Sequence, residues 1–378
     1  MSRRVGFWIL GIGILGALVV WLWLRGGKPP VRQNETLVPQ TEVSPPTAKV
    51  QEQAGPLASR LEQTLGALRS GADANKGRLE LAELRKVLAT GGTNSASAAI
   101  RKFLDSKSDA GTGRAFKVGG HGFLDEAPTL RTFLLDQLGQ LDPAAAAAYA
   151  RVILNSSESP DEWAVALRSL ALGDNSADGR ALLAQKTAEL LRREEWQREP
   201  SAGYLEAFDA AVYLGGTNLV PALGDLVRKR DNQAVAHAAY LALDRLVIND
   251  PANLLRALET DPATMQGREL TRANYFARAD VRDANQRQVL ETYLLDPRIG
   301  PTELAQFAGL YPSANFMVSP NLLTPAPAPD PAGLRARDAE SLRLVQEWLA
   351  DPRFAALRPQ LEKVKERLEE FARQAAGK

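Results

Sequence analysis

Two histidines, His121 and His237, and no cysteine occur in the 378 residues, and this bounds the chemistry before any fold is considered. Without cysteine there is no disulfide, thiolate metal site, iron–sulfur cluster or thiol nucleophile. Two histidines exclude a histidine-rich metal centre, and a Ser–His–Asp arrangement would have to use one of them. His237 follows Ala234, Val235 and Ala236 in a helical stretch and reads as a helix-surface or interface residue. His121 is the stronger candidate. It lies in GTGRAFKVGGHGFLDEAP, a break between helical stretches, flanked by Gly119, Gly120 and Gly122 with Lys117 and Asp125 close by. Such glycines either bring backbone N–H groups towards an anion or make a tight turn that needs positive φ. No nucleophile, second base or orienting carboxylate can be assigned around His121 from spacing, so the turn is the expected use and a pocket enzyme the competing one.

Other chemical signatures are missing from the sequence. There is no GxxxxGK[ST] phosphate loop, GxSxG elbow, HExxH or DxDxDG calcium loop. The string Gly11 to Gly16 matches GxGxxG but lies inside an apolar run rather than between a strand and a helix, so it is no dinucleotide site. Glu194 and Glu195, and Glu366, Glu369 and Glu370, alternate with Arg and Lys and read as solvated helix faces. With 46 basic and 45 acidic side chains the net charge is +1, which supplies no field for nucleic acid. No cofactor or metal is expected.

The elements that would position these residues begin with an uncharged run from Val5 to Leu24, VGFWILGIGILGALVVWLWL. A helix of that length matches a bilayer's hydrocarbon core, about 30 Å, so the run is expected to cross a membrane once and make the lipid bilayer a partner through residues 5–24. Trp8, Trp21 and Trp23 stand where headgroups would lie. A cleaved signal peptide is the rival, but no A-x-A-like site follows the run. Gly6, Gly13 and Ala17 share one face, through which two such helices could form a homodimer; an ordinary span that pairs with nothing is the plain alternative. Basic residues flank both ends, so orientation rests on the short N-terminal tail: inner membrane, large domain periplasmic, with a cytoplasmic domain as the alternative. Residues 25–56 are proline-rich and poor in large apolar side chains, as in a flexible stalk.

From Leu57 onward the pattern is helical. Leu57, Leu61, Leu65 and Leu68 recur at helical spacing, as do Leu81, Leu84 and Leu88, then Ile100, Phe103 and Leu104, and no hairpin pattern interrupts them. Between about 126 and 310 short turn signals divide helical stretches, at Asp142-Pro143, Gly173-Asp174, Gly215-Gly216 and Asn249-Asp250-Pro251. Taken at Asp142, Asp174, Thr217 and Asp250, the intervals are 32, 43 and 33 residues. The stretch Asn218 to Leu246 resembles a HEAT repeat: Pro221 and Leu223 open a first helix, Asp231 and Asn232 make the turn, and Ala234, Ala238, Ala239, Ala242 and Leu243 space a second. Trp163 to Leu172 resembles another second helix. The uneven period, and the lack of a recurrent basic residue opening the second helix, depart from that family. The resemblance implies an irregular HEAT-like α-solenoid over residues 57–310, with an irregular helical bundle as the alternative.

Two regions follow. Residues 311–334 are too proline-rich for helix, and their Phe316, Met317, Val318, Leu322 and Leu323 must either dock on the helical array or meet a partner. In residues 335–378, Leu357, Leu361, Val364, Leu368, Phe371 and Ala375 alternate spacings of four and three, a seam that caps the array or pairs with a partner helix. The expected fold class is therefore all-α, with one transmembrane helix at residues 1–24, a stalk and a helical-repeat domain. The expected function is a membrane-anchored scaffold for an unidentified protein partner, without catalysis.

Overall fold

Many helix starts in this chain are written by short polar side chains that satisfy the first free amides, in several cases with proline in the next position. A computed structural model of the protein describes residues 47–378 apart from 72, 315–319, 326, 327, 329, 377 and 378. Its helices are α1 (Thr47–Arg69), α2 (Ala74–Thr90), α3 (Thr93–Asp105), α4 (Leu130–Leu141), α5 (Pro143–Ser156), α6 (Pro160–Gly173), α7 (Ala177–Arg192), α8 (Glu194–Arg198), α9 (Ala202–Glu206), α10 (Asp209–Leu214), α11 (Val220–Arg228), α12 (Gln233–Asn249), α13 (Pro251–Thr260), α14 (Glu269–Phe276), α15 (Ala284–Leu295), α16 (Pro301–Leu310), α17 (Pro331–Ala350) and α18 (Arg358–Ala376). Asp142 accepts from the Ala145 amide ahead of Pro143, Ser159 from Glu162 ahead of Pro160, and Asp330 from Gly333 ahead of Pro331. Asn232 holds the Ala234 and Val235 amides at the head of α12.

The leucine series of α1, α2 and α3 are buried, as their spacing requires. Helix α6 is buried on every side from Glu162 to Ala171, which makes it a central helix rather than a surface one. In the stretch that resembles a HEAT repeat, α11 packs on α12, and Leu223, Val235, Ala239, Ala242 and Leu243 are fully buried while Ala234 is exposed. Aromatic rings then carry the core from one helix pair to the next: Trp163 meets Trp196 at 5.2 Å, Tyr240 meets Tyr275 at 5.7 Å, and Phe276 stacks on Tyr293 at 3.9 Å.

Polar contacts between helices recur at a narrow sequence separation. Arg131 pairs with Glu162 31 residues away, Arg278 with Asp244 at 34, and Arg272 with Glu303 at 31. Tyr275 donates to the Tyr240 carbonyl at a separation of 35, Asn232 to the Gln197 carbonyl at 35, and Gln306 to Asn274 at 32. Longer steps also occur, as from Ser97 to Asp142 at 45, Tyr149 to Asp105 at 44 and Arg367 to the Ala308 carbonyl at 59. One further long step is local. Across it Ser201 donates to Asp161 at a separation of 40 and Tyr213 to the Ala171 carbonyl at 42, because the short helices α8 and α9 are inserted there.

Three expectations are corrected. The fold class named above included a transmembrane helix; among the described residues no helix is long and apolar enough to cross a membrane, because the helices carry charged faces. The run Val5 to Leu24, with Gly6, Gly13 and Ala17, lies outside the described residues, as does the stalk up to residue 46; residues 47–56, also assigned to the stalk, are helical within α1. Finally, the break around His121 holds a two-stranded antiparallel hairpin, β1 (Lys117–Val118) with β2 (Leu124–Glu126), which is too short to leave a period-two signature.

The Arg272–Glu303 pair gives the first prediction. Both guanidinium bonds are 2.8 Å, the Tyr293 hydroxyl donates to the same carboxylate at 3.0 Å, and the Glu303 side chain is 1% exposed. Arg272→Ala leaves that carboxylate buried without a counter-charge and is expected to cost about 3–5 kcal/mol at neutral pH. Urea unfolding followed by circular dichroism at neutral pH should show that deficit, and a smaller one in Arg272→Ala/Glu303→Gln, where no buried charge is left without its partner. No deficit in Arg272→Ala, or an equal one in the double variant, contradicts the assignment.

Candidate functional site

His121 is the tip of the hairpin, and the glycines around it build the turn. The Gly122 amide donates to the Gly119 carbonyl at 3.2 Å and the Gly119 amide to the Phe123 carbonyl at 2.7 Å, so those two donors are used within the turn. Gly122 has φ +77, and a Cβ there would run into the Leu322 carbonyl oxygen. Both the backbone angle and the close approach thus require glycine at this position. Gly119 is buried, while Gly120 and His121 are exposed.

Beneath the turn, Arg168 of α6 is completely buried. Its guanidinium donates to the Gly122 carbonyl at 2.8 Å, pairs with Asp136 at 2.7 Å and lies over the Phe123 ring at 4.5 Å. Burial pulls the Arg168 guanidinium below the usual arginine range, and the Asp136 carboxylate opposes that. Asp136 in turn accepts from the Leu124 amide at 2.9 Å and from Gln140 at 2.7 Å. One ion pair therefore ties the hairpin to α4 and α6.

The segment after α16 returns to the same place. Its residues 320–325 lie against the hairpin and are fastened by Asp209, the first residue of α10, which is fully buried. Asp209 accepts from the Leu323 amide at 2.7 Å, from the Thr324 amide at 2.9 Å and from the Thr324 hydroxyl at 2.5 Å, and pairs with Arg245 at 3.1 Å. Leu322 is buried and Leu323 is packed against the core; Phe316, Met317 and Val318 lie outside the described residues. Sequence reasoning missed Asp209, since its partners lie 114 and 115 residues away and no local pattern links them.

Between this strap and the hairpin is a pocket of about 450 Å³, lined by Gly120, His121, Gly122, Leu172, Leu323 and Thr324 among others. Its one titratable side chain is His121. The Thr324 hydroxyl is committed to Asp209, and a carboxylate that already holds two amides, a hydroxyl and a guanidinium is a fastening rather than a base. Among the described residues lining the pocket, none is positioned as a second acid, base or nucleophile beside His121. His237, the other histidine, is exposed on α12 and stacks on Tyr240 at 6.1 Å. Among the described residues no cluster of His, Asp or Glu could hold a metal ion.

At the other end of the chain α18 packs against α17 and α16. Leu361, Val364 and Leu368 are buried, Phe371 is 40% exposed, and Arg367 donates to the Ala308 carbonyl at 2.7 Å, at the last turn of α16. Comparison of the chain with family models, curated proteins and solved structures returns no match.

The strap's fastening is testable by hydrogen exchange. Asp209→Ala removes the acceptor of two backbone amides, and Gly122→Ala pushes on the strap from the hairpin side. Each is expected to speed exchange at residues 322–324 by at least about tenfold while the amides of α6 and α12 stay protected, since a local opening of roughly 1.4 kcal/mol suffices. Unchanged protection at Leu323 and Thr324 in Asp209→Ala would contradict the fastening.

Proposed function

We propose that residues 57–310 form an irregular HEAT-like helical repeat and that the chain is a scaffold that binds another protein. The observation that carries this reading is the recurrence of inter-helix polar contacts at separations of 31 to 35 residues, with 40 to 42 across the insertion of α8 and α9. Contacts of that kind arise when each helix pair meets its neighbour, and an array built this way offers a long surface in place of one deep cleft. Capping of α18 against α16 and α17 fits the same reading, since the last pair of an array needs its apolar face covered. A catalytic role for the His121 pocket is the weaker alternative, because His121 has no positioned partner there.

The two readings separate in one experiment. The full-length protein, as wild type and as His121→Ala, is used to capture binding partners and is also incubated with a metabolite extract followed by mass spectrometry. The scaffold reading predicts a stoichiometric protein complex that both forms retain, and that can be rebuilt from the two purified proteins. Turnover of a small molecule that falls by about 10² to 10⁴ in His121→Ala, with no protein partner retained, would overturn it.

A further inference from the structure

Many cations in this chain meet carboxylates, and those that do not are mostly scattered singly over the surface. Arg193 pairs with Glu158 and Glu189, Arg272 with Glu303, and Arg278 with Asp244. One concavity gathers three unpaired cations. Three segments meet there: the loop after α11 brings Lys229 and Arg230, the first two turns of α12 bring Gln233, His237 and Tyr240, and the start of α14 brings Arg268. The pocket is about 430 Å³, and no carboxylate is among its lining residues. Lys229, Arg230 and Arg268 form no ion pair among the described residues, and the one bond holding an arginine head in place runs from Arg268 to the Lys229 carbonyl at 3.3 Å.

We propose that this pocket binds a small soluble molecule carrying a phosphate or pyrophosphate group. Three cationic heads around one concavity repel each other unless an anion of more than one charge lies between them, and two of the three are guanidinium forks suited to phosphate oxygens. Gln233 supplies an uncharged hydrogen-bonding group. The amides at the head of α12 do not take part, because Asn232 already holds those of Ala234 and Val235, so recognition falls to the side chains. On the inner wall, His237, Tyr240 and Tyr275 form a ladder of rings with tilts of 17° and 22°, anchored by the Tyr275 hydroxyl on the Tyr240 carbonyl at 3.1 Å. That ladder fixes the wall from which His237 faces the cations. The volume lies within the range of small-molecule sites.

The probe is inorganic pyrophosphate, titrated calorimetrically into the full-length protein at low salt. Saturable binding with one site per chain is expected, weakened at least about tenfold in Arg230→Gln and further in Arg230→Gln/Arg268→Gln, as loss of charge-assisted bonds to phosphate requires. Arg230 is exposed and makes no fold contact through an ion pair, so Arg230→Gln keeps the test valid if the double variant is unstable. The control Arg78→Gln/Lys102→Gln removes exposed positive charges elsewhere and is expected to bind as wild type does. Equal weakening in the control, or no binding by wild type, overturns the site. Vesicles of phosphatidate in phosphatidylcholine form a separate arm: retention on vesicles that depends on Arg230, without binding of soluble pyrophosphate, would assign the pocket to a lipid headgroup and overturn the proposal.

Discussion

A guanidinium taken out of water needs a partner for its charge, and at three places in this fold that partner is a carboxylate of another element. Arg168 with Asp136, Arg278 with Asp244 and Arg272 with Glu303 are buried or nearly so, and each joins elements about 30 residues or more apart in sequence. Such pairs add little net stability over an apolar contact of equal shape, but breaking one is expensive. Their consequence is register. A helix that slid by one turn would leave two charges unpaired in the core, so the register between these helices is fixed by electrostatics while the aromatic and aliphatic contacts provide most of the driving force.

The same device fixes the hairpin and the strap, which meet across a long stretch of sequence. Asp209 uses both carboxylate oxygens to hold the strap at Leu323 and Thr324, and Arg168 reaches up to the Gly122 carbonyl under the hairpin. Hairpin and strap then meet at Gly122 and Leu322, where only a residue without a side chain fits. His121 is exposed at that junction as a consequence of the turn. Its glycine surroundings, which in sequence are compatible with an anion cradle, are explained by backbone geometry and by the strap.

What was legible in the sequence is what local physics decides. Asp142-Pro143, Asn232 and Asp250-Pro251 mark helix starts because capping and proline's fixed φ act within a few residues, and the leucine series mark buried faces because a helix repeats every 3.6 residues. The intervals of 32, 43 and 33 between turns match the step lengths of the contacts, including the longer step where α8 and α9 are inserted. The strap's fastening was not legible, since Asp209 and Thr324 are joined by tertiary folding alone. Nor was the basic pocket, whose Lys229 and Arg230, His237, and Arg268 come from three segments that look like ordinary solvated charges when read singly. The apolar run at residues 5–24 is the reverse case: a plain sequence signal that lies outside the described residues, while the helices that are described carry no membrane span.

The central claim is that each helix pair is coupled to its neighbour through these buried charge contacts, so that breaking one is felt locally. Native-state hydrogen exchange on wild type and Arg272→Ala tests it most directly. If neighbours alone are coupled through the Arg272–Glu303 contact, protection should fall in α14, α15 and α16 and remain at wild-type levels in α4, α5 and α6. A loss of protection spread evenly from α4 to α16 would mean one undivided cooperative core, and would contradict the account.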